Sequence, residues 1–111
     1  MDKQAFCMVL TTTNRPENAQ QITHSLLSKQ LAACVQSMPI QSHYLWNGEV
    51  CCDAEILLII KTRRACYADL EQEIAQLHCY EVPQIVQVPI VDGFNPYLTW
   101  IEQNTPTTET R

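Results

Sequence analysis

The side chains best suited to chemistry in this chain are its thiols and imidazoles. Cys7, Cys34, Cys51, Cys52, Cys66 and Cys79 supply the sulfurs, and His24, His43 and His78 supply the imidazoles. Thiolate and neutral imidazole are the ligands that hold copper and zinc. His78 and Cys79 are neighbours at the end of a helix-spaced stretch, and together they suit Cu(I), Cu(II) or zinc. Adjacent side chains seldom chelate one ion unaided, so a third ligand must come from elsewhere, another subunit included, and Cys34 is the candidate. The structural alternative for His78 is a cation that favours the negative end of a helix. No catalytic set stands out. The chain has two glycines, Gly48 and Gly93, and neither lies in a phosphate-cradling loop, so an acylphosphatase-like enzyme is set aside. The chain reads as non-enzymatic.

A second group mixes charge and aromatic surface. Glu55 and Lys61 share one strand face with Tyr44, Trp46 and Cys34, and these five form a candidate ligand cleft. Cys34 faces Lys61 and is also a candidate reactive thiol. The competing reading is an interfacial salt bridge with aromatic packing, and a small buried cysteine. Trp100 reads as a residue that docks the last helix.

These residues need elements to hold them. Residues 4–12 read as a strand. Asn14 with Glu17 resembles a capping box ahead of a helix over 15–29, where Ala19, Ile22 and Leu26 make an apolar stripe. Residues 32–46 read as a long or broken strand in which Pro39 requires an edge position or a bend. Asn47-Gly48 is a strong type I′ turn signal. Residues 49–62 form the return strand, and its apolar run over 56–60 indicates burial on both faces or a face reserved for another subunit. Residues 63–78 form a second helix with Tyr67, Leu70, Ile74 and Leu77 on one stripe. Residues 84–91 form a last strand, and Asn95-Pro96 caps a short final helix. The order is β-α-β-β-α-β plus a helix, an α+β ferredoxin-like sheet with helices on one face. The domain spans residues 4–104, and 105–111 read as a disordered tail.

A two-residue loop at 47–48 fixes the hairpin register unless Pro39 introduces a bulge. Trp46 then faces Glu49, Tyr44 faces Cys51, Ser42 faces Asp53, Ile40 faces Glu55 and Cys34 faces Lys61, all on one side. His43 and Cys52 face each other on the opposite side, a pair that can take a soft ion opportunistically but supplies too few ligands for a closed metal site. Cys51 and Cys52 point to opposite faces. Strands this long exceed the usual length of about 5–6 residues. A projecting ribbon carrying Tyr44, Leu45 and Trp46 calls for a symmetric oligomer that pairs with it.

The composition bounds the rest. The chain has 111 residues, enough for one domain, and a formal net charge of −5, which argues against nucleic acid as the main partner. The polar start, Met1-Asp2-Lys3-Gln4, and the short apolar run after it do not read as an export or membrane segment. A cytoplasmic location, reduced thiols and no membrane association are the expectation. No C-x-x-C pair is present.

Several segments, in order, resemble the CutA divalent-cation tolerance family. They are Leu31-Ala32-Ala33-Cys34-Val35, Ser42-His43-Tyr44-Leu45-Trp46-Asn47-Gly48 and Glu55 with Leu57-Leu58-Ile59-Ile60-Lys61-Thr62. His78-Cys79-Tyr80-Glu81-Val82-Pro83 and Gly93 with Tyr97, Leu98 and Trp100 follow. The resemblance runs from about Phe6 to Gln103. It implies a ferredoxin-like fold assembled as a homotrimer with hairpins pairing between subunits, and a role in tolerance of divalent metals such as copper. It implies no obligatory cofactor, with Cu(II) or another divalent cation as candidate ligand. The architecture is also similar to that of PII signalling proteins, which bind small metabolites or anions in clefts between subunits. One departure is local: the family usually has His-Pro-Tyr where this chain has His78-Cys79-Tyr80.

Overall fold

The computed structural model of the chain describes residues 5–106. Strand β1 (Phe6–Thr13) leads into helix α1 (Pro16–Ser28). Strands β2 (Cys34–Trp46) and β3 (Glu49–Arg63) form the hairpin. A short 3-10 turn (Arg64–Cys66) opens helix α2 (Tyr67–Leu77), and strand β4 (Ile85–Pro89) and helix α3 (Asn95–Asn104) complete the chain. The four strands make one antiparallel sheet in the order β2-β3-β1-β4. The ferredoxin-like order and the α+β class are as expected. No described helix is long and apolar enough to cross a membrane.

The period-two alternation of the strands sorts their side chains into two layers. On one face, Cys7, Val9, Leu58 and Ile60 pack under Ala19, Ile22 and Leu26 of α1 and Leu70 and Ile74 of α2, all buried. Both helices bury side chains at helical spacing, which is why the amphipathic stripes were legible. On the other face, Phe6 packs with Leu98 and Ile101, so α3 covers one end of the sheet. The rest of that second face carries the rows Met8 opposite Lys61, Leu10 opposite Ile59 and Thr12 opposite Leu57 between β1 and β3, and Val88 and Val86 of β4 extend the first two. Helix α3 reaches this face at the Phe6 and Lys61 rows, and Met8, Leu10, Leu57 and Ile59 stay only partly buried.

The hairpin turns at Asn47 (φ 51°) and Gly48 (φ 78°), the positive pair a type I′ turn requires. Its register is unbroken from Trp46 opposite Glu49 to Cys34 opposite Lys61. Pro39 sits opposite Ile56 without a bulge. It is tolerated because β2 is an edge strand, whose outward N–H groups need no partner within the sheet. Strand β1 ends at Thr13, opposite Ile56, so the part of the ribbon beyond that row pairs only with itself.

Several local expectations fail for identifiable reasons. Arg15, not Asn14, is the N-cap of α1, without a side-chain cap. Thr13 Oγ1 instead accepts from the Arg15 N–H at 3.4 Å and donates to Asn18 Oδ1 at 3.0 Å. Phe94 rather than Asn95 occupies the N-cap of α3. Helix α2 stops at Leu77, where Asn18 Nδ2 donates to the free Leu77 carbonyl at 3.0 Å, and His78 is extended (φ −67°, ψ 141°). Thr105, placed in the tail from sequence, is buried, and Arg63 donates to its carbonyl. Residues 107–111 of that expected tail lie outside the described residues.

Candidate functional site

The candidate metal ligands are held by the fold in separate places. His78 is 9% exposed, and both ring nitrogens are engaged. Nδ1 accepts the Tyr80 N–H at 3.0 Å, which leaves Nε2 as the protonated nitrogen, donating to the Thr12 carbonyl at 2.8 Å. No lone pair remains for a metal. Cys79 is exposed, its N–H donating to Asn18 Oδ1 at 3.3 Å and its sulfur 3.4 Å from Thr13 Oγ1. Cys34 lies two strands away, in the row of Lys61 and Met8, whereas His78 is tied to Thr12. Four residues of strand separate those rows, about 13 Å. Among the described residues there is no group of three or more His, Cys, Asp or Glu placed to hold a metal ion. The side chains present therefore do not fit a preformed metal centre within one chain.

The five cleft candidates do share one face of the hairpin, as the register requires, but the ribbon spreads them. From Cys34 to Trp46 is twelve residues of extended chain, about 40 Å. Three clusters result. Near the tip, exposed Trp46 stands beside Tyr44, whose hydroxyl donates to Asp53. That acceptor, with lesser help from desolvation, pushes the Tyr44 phenol up to about 12. In the middle, the Tyr80 hydroxyl donates to Glu55 Oε2 at 2.6 Å, and burial, followed by this bond, drives the Tyr80 phenol upward. At the base, Lys61 Nζ donates to Gln36 Oε1 at 2.9 Å and stands over the Tyr97 ring, 5.7 Å from its centroid. Tyr97 in turn stacks on Trp100 with centroids 5.7 Å apart and planes 21° apart. Glu55 and Lys61 of one chain do not pair with each other, because six residues of strand hold them about 20 Å apart.

Three members of these clusters were missed in sequence. Gln36 shares a strand face with Cys34 two residues away, and Tyr97 precedes Trp100 by one helical turn; both spacings are signals that were available. Tyr80 gave none, since its partner is 25 residues distant. Trp100 does not dock α3. Leu98 and Ile101 do, and Trp100 stays exposed on the Tyr97 ring.

This geometry can be set beside known proteins. Residues 7–104 match the family model described as CutA1 divalent ion tolerance protein. The chain belongs to the CutA1 family. A divalent-cation tolerance protein CutA of Thermus thermophilus is 41% identical over 99 residues, covering 88% of this chain and 96% of the relative. The chloroplastic Protein CutA of Arabidopsis thaliana is 37% identical over 102 residues, 91% of this chain and 56% of that protein, so here the chain spans about half of its relative. Among solved structures, CutA1 of the psychrotrophic bacterium Shewanella sp. SIB1 superposes with a TM-score of 0.90 at 36% identity, covering 95% of this chain and 99% of that one. The protein described as periplasmic divalent cation tolerance protein CutA of Archaeoglobus fulgidus gives 0.89 at 34% identity, covering 91% and 99%. These CutA names place the relatives in different compartments. The family by name is one of ion tolerance rather than an enzyme family.

Proposed function

We propose that this CutA chain serves divalent-cation tolerance, copper included, as a non-enzymatic homotrimer in the cytoplasm, and that its ligand site is completed only between subunits. The observation that carries the reading is the partly exposed second face of the sheet. Met8, Leu10, Leu57 and Ile59, on the face opposite α1 and α2, are only partly buried, and they are flanked by two open sheet edges and an overlong ribbon. A face of this kind is stabilised by burial against another copy. The number three comes from the family resemblance. Assembly also gives the separated clusters a use, because a neighbour's hairpin tip can reach a site that one chain's own tip cannot. The six free thiols suit a reducing compartment.

Tolerance itself is tested in a bacterium lacking its own CutA and challenged with Cu(II). Restored growth with this chain supports the reading, and growth no better than with an empty vector contradicts it. A second reading, a PII-like regulator that takes a small anion, is favoured by Lys61. Its ammonium meets a neutral carboxamide and an aromatic ring, and among the described residues it has no carboxylate partner. Thermal-shift measurements with phosphate and with a small dicarboxylate test it. Stabilisation that vanishes in Lys61→Ala supports the anion, and no shift with either probe sinks it.

A further inference from the structure

The geometry points to a soft-metal site at His43 and Cys52, on the face of the ribbon opposite the clusters above, which takes one Cu(I) per chain. The two residues are cross-strand partners in an unbroken register. The type I′ turn makes Trp46 and Glu49 a hydrogen-bonded pair, and the pairs then alternate, so His43 and Cys52 fall on a non-hydrogen-bonded pair. Such pairs bring their Cα atoms to about 4.5 Å, with the side chains directed outward together. Both residues are exposed, and among the described residues neither side chain has a hydrogen-bond partner. An imidazole and a thiolate can therefore close on one ion at about 2.0 and 2.3 Å, the metal–ligand distances typical of nitrogen and sulfur.

The surroundings select the ion. Leu45 and Val50, 74% and 75% exposed, flank the pair toward the tip, and Gln41 and Ala54 flank it toward the body. No third His, Cys, Asp or Glu joins the pair among the described residues. Zinc, which takes four ligands, is left short, and the carboxamide of Gln41, two residues along the same face, is too hard to complete a copper thiolate site. Cu(I) is soft, prefers sulfur and nitrogen, and is content with two ligands in line. Binding replaces the thiol proton: the Cys52 S–H bond breaks, a sulfur–copper bond forms, His43 donates its lone pair, and the proton leaves to solvent. Copper stays Cu(I) throughout and no oxidant is consumed. The site is independent of the trimer proposal, since both ligands come from one chain.

The test is an anaerobic titration of the full chain with Cu(I) against bicinchoninate, in a Cys79→Ser background that removes the other exposed thiol. The result expected is one Cu(I) per chain withdrawn from the chelator, lost in Cys52→Ser and at least tenfold weaker in His43→Ala. Cys51→Ser, whose sulfur faces the other side, leaves it unchanged. Retention of that copper in Cys52→Ser, an unaltered affinity in His43→Ala, or an equal loss in Cys51→Ser overturns the assignment. Positions 43, 51 and 52 lie on the self-paired ribbon and Cys79 in the loop after α2, and melting curves for each variant confirm that the fold is intact.

Discussion

His78 donates through Nε2 to the Thr12 carbonyl at 2.8 Å, closing the loop after α2 onto the end of β1. Its Nδ1 is taken by the Tyr80 N–H, so the imidazole works as a two-ended brace. Removing it leaves a buried carbonyl and an amide without partners, which costs about 1–3 kcal/mol each where water cannot enter. His78→Ala is therefore expected to lower stability by about 2 kcal/mol in urea unfolding and to leave Cu(II) affinity unchanged in calorimetry. A variant as stable as the parent, or one that loses copper while keeping its stability, contradicts the brace.

Burial pushes the Cys7 thiol up to about 11, helped by Cys66 and opposed by Arg64. Burial and the hydrogen bond to Glu71 push the Tyr67 phenol up to about 12. Both folded values exceed the unfolded ones, roughly 8.5 for cysteine and 10 for tyrosine. The fold favours the protonated forms, so their contribution is complete below about pH 8.5 and is lost as pH rises toward 12. Urea midpoints measured across that window should hold steady near neutrality and then decline, and Cys7→Ala should flatten the early part of the decline. In the same molecule at neutral pH, Ellman's reagent should modify exposed Cys52 and Cys79 rapidly and spare buried Cys7 and Cys66.

Helix α1 ends in a turn with Gln30 at φ 58°, where the Leu31 N–H reaches back to the Leu26 carbonyl at 2.9 Å. A left-handed residue at this position favours glycine. Gln30→Gly should raise the melting temperature, with a gain of about 0.5–1 kcal/mol. A fall in the melting temperature would show that the exposed Gln30 side chain contributes more than its backbone strain costs.

The parts of the structure that were legible in sequence are those set by local rules. The Asn47-Gly48 turn dictated the hairpin register over thirteen pairs, down to Cys34 opposite Lys61, because a type I′ loop and a period of two leave no freedom. The stripes of α1 and α2 were legible for the same reason. Asn14 failed as a cap because Thr13, one residue earlier, offers its hydroxyl to the same turn. The metal set is not assembled within one chain, and sequence shows only that His78, Cys79 and Cys34 can bind copper. It does not show that backbone groups of Thr12 and Tyr80 already occupy the imidazole. The cleft set failed as a single site through length alone: sharing a strand face does not bring residues within reach of one ligand when the strand is this long.

The central claim is that the apolar face of the sheet is covered by other copies of the chain. Light scattering on the purified protein at micromolar concentration measures this directly. The account predicts a mass of roughly three times the 12.7 kDa chain, falling to one chain when Ile59, in the middle of that face, is replaced by Asp. A parent protein that elutes with the mass of a single chain would contradict it.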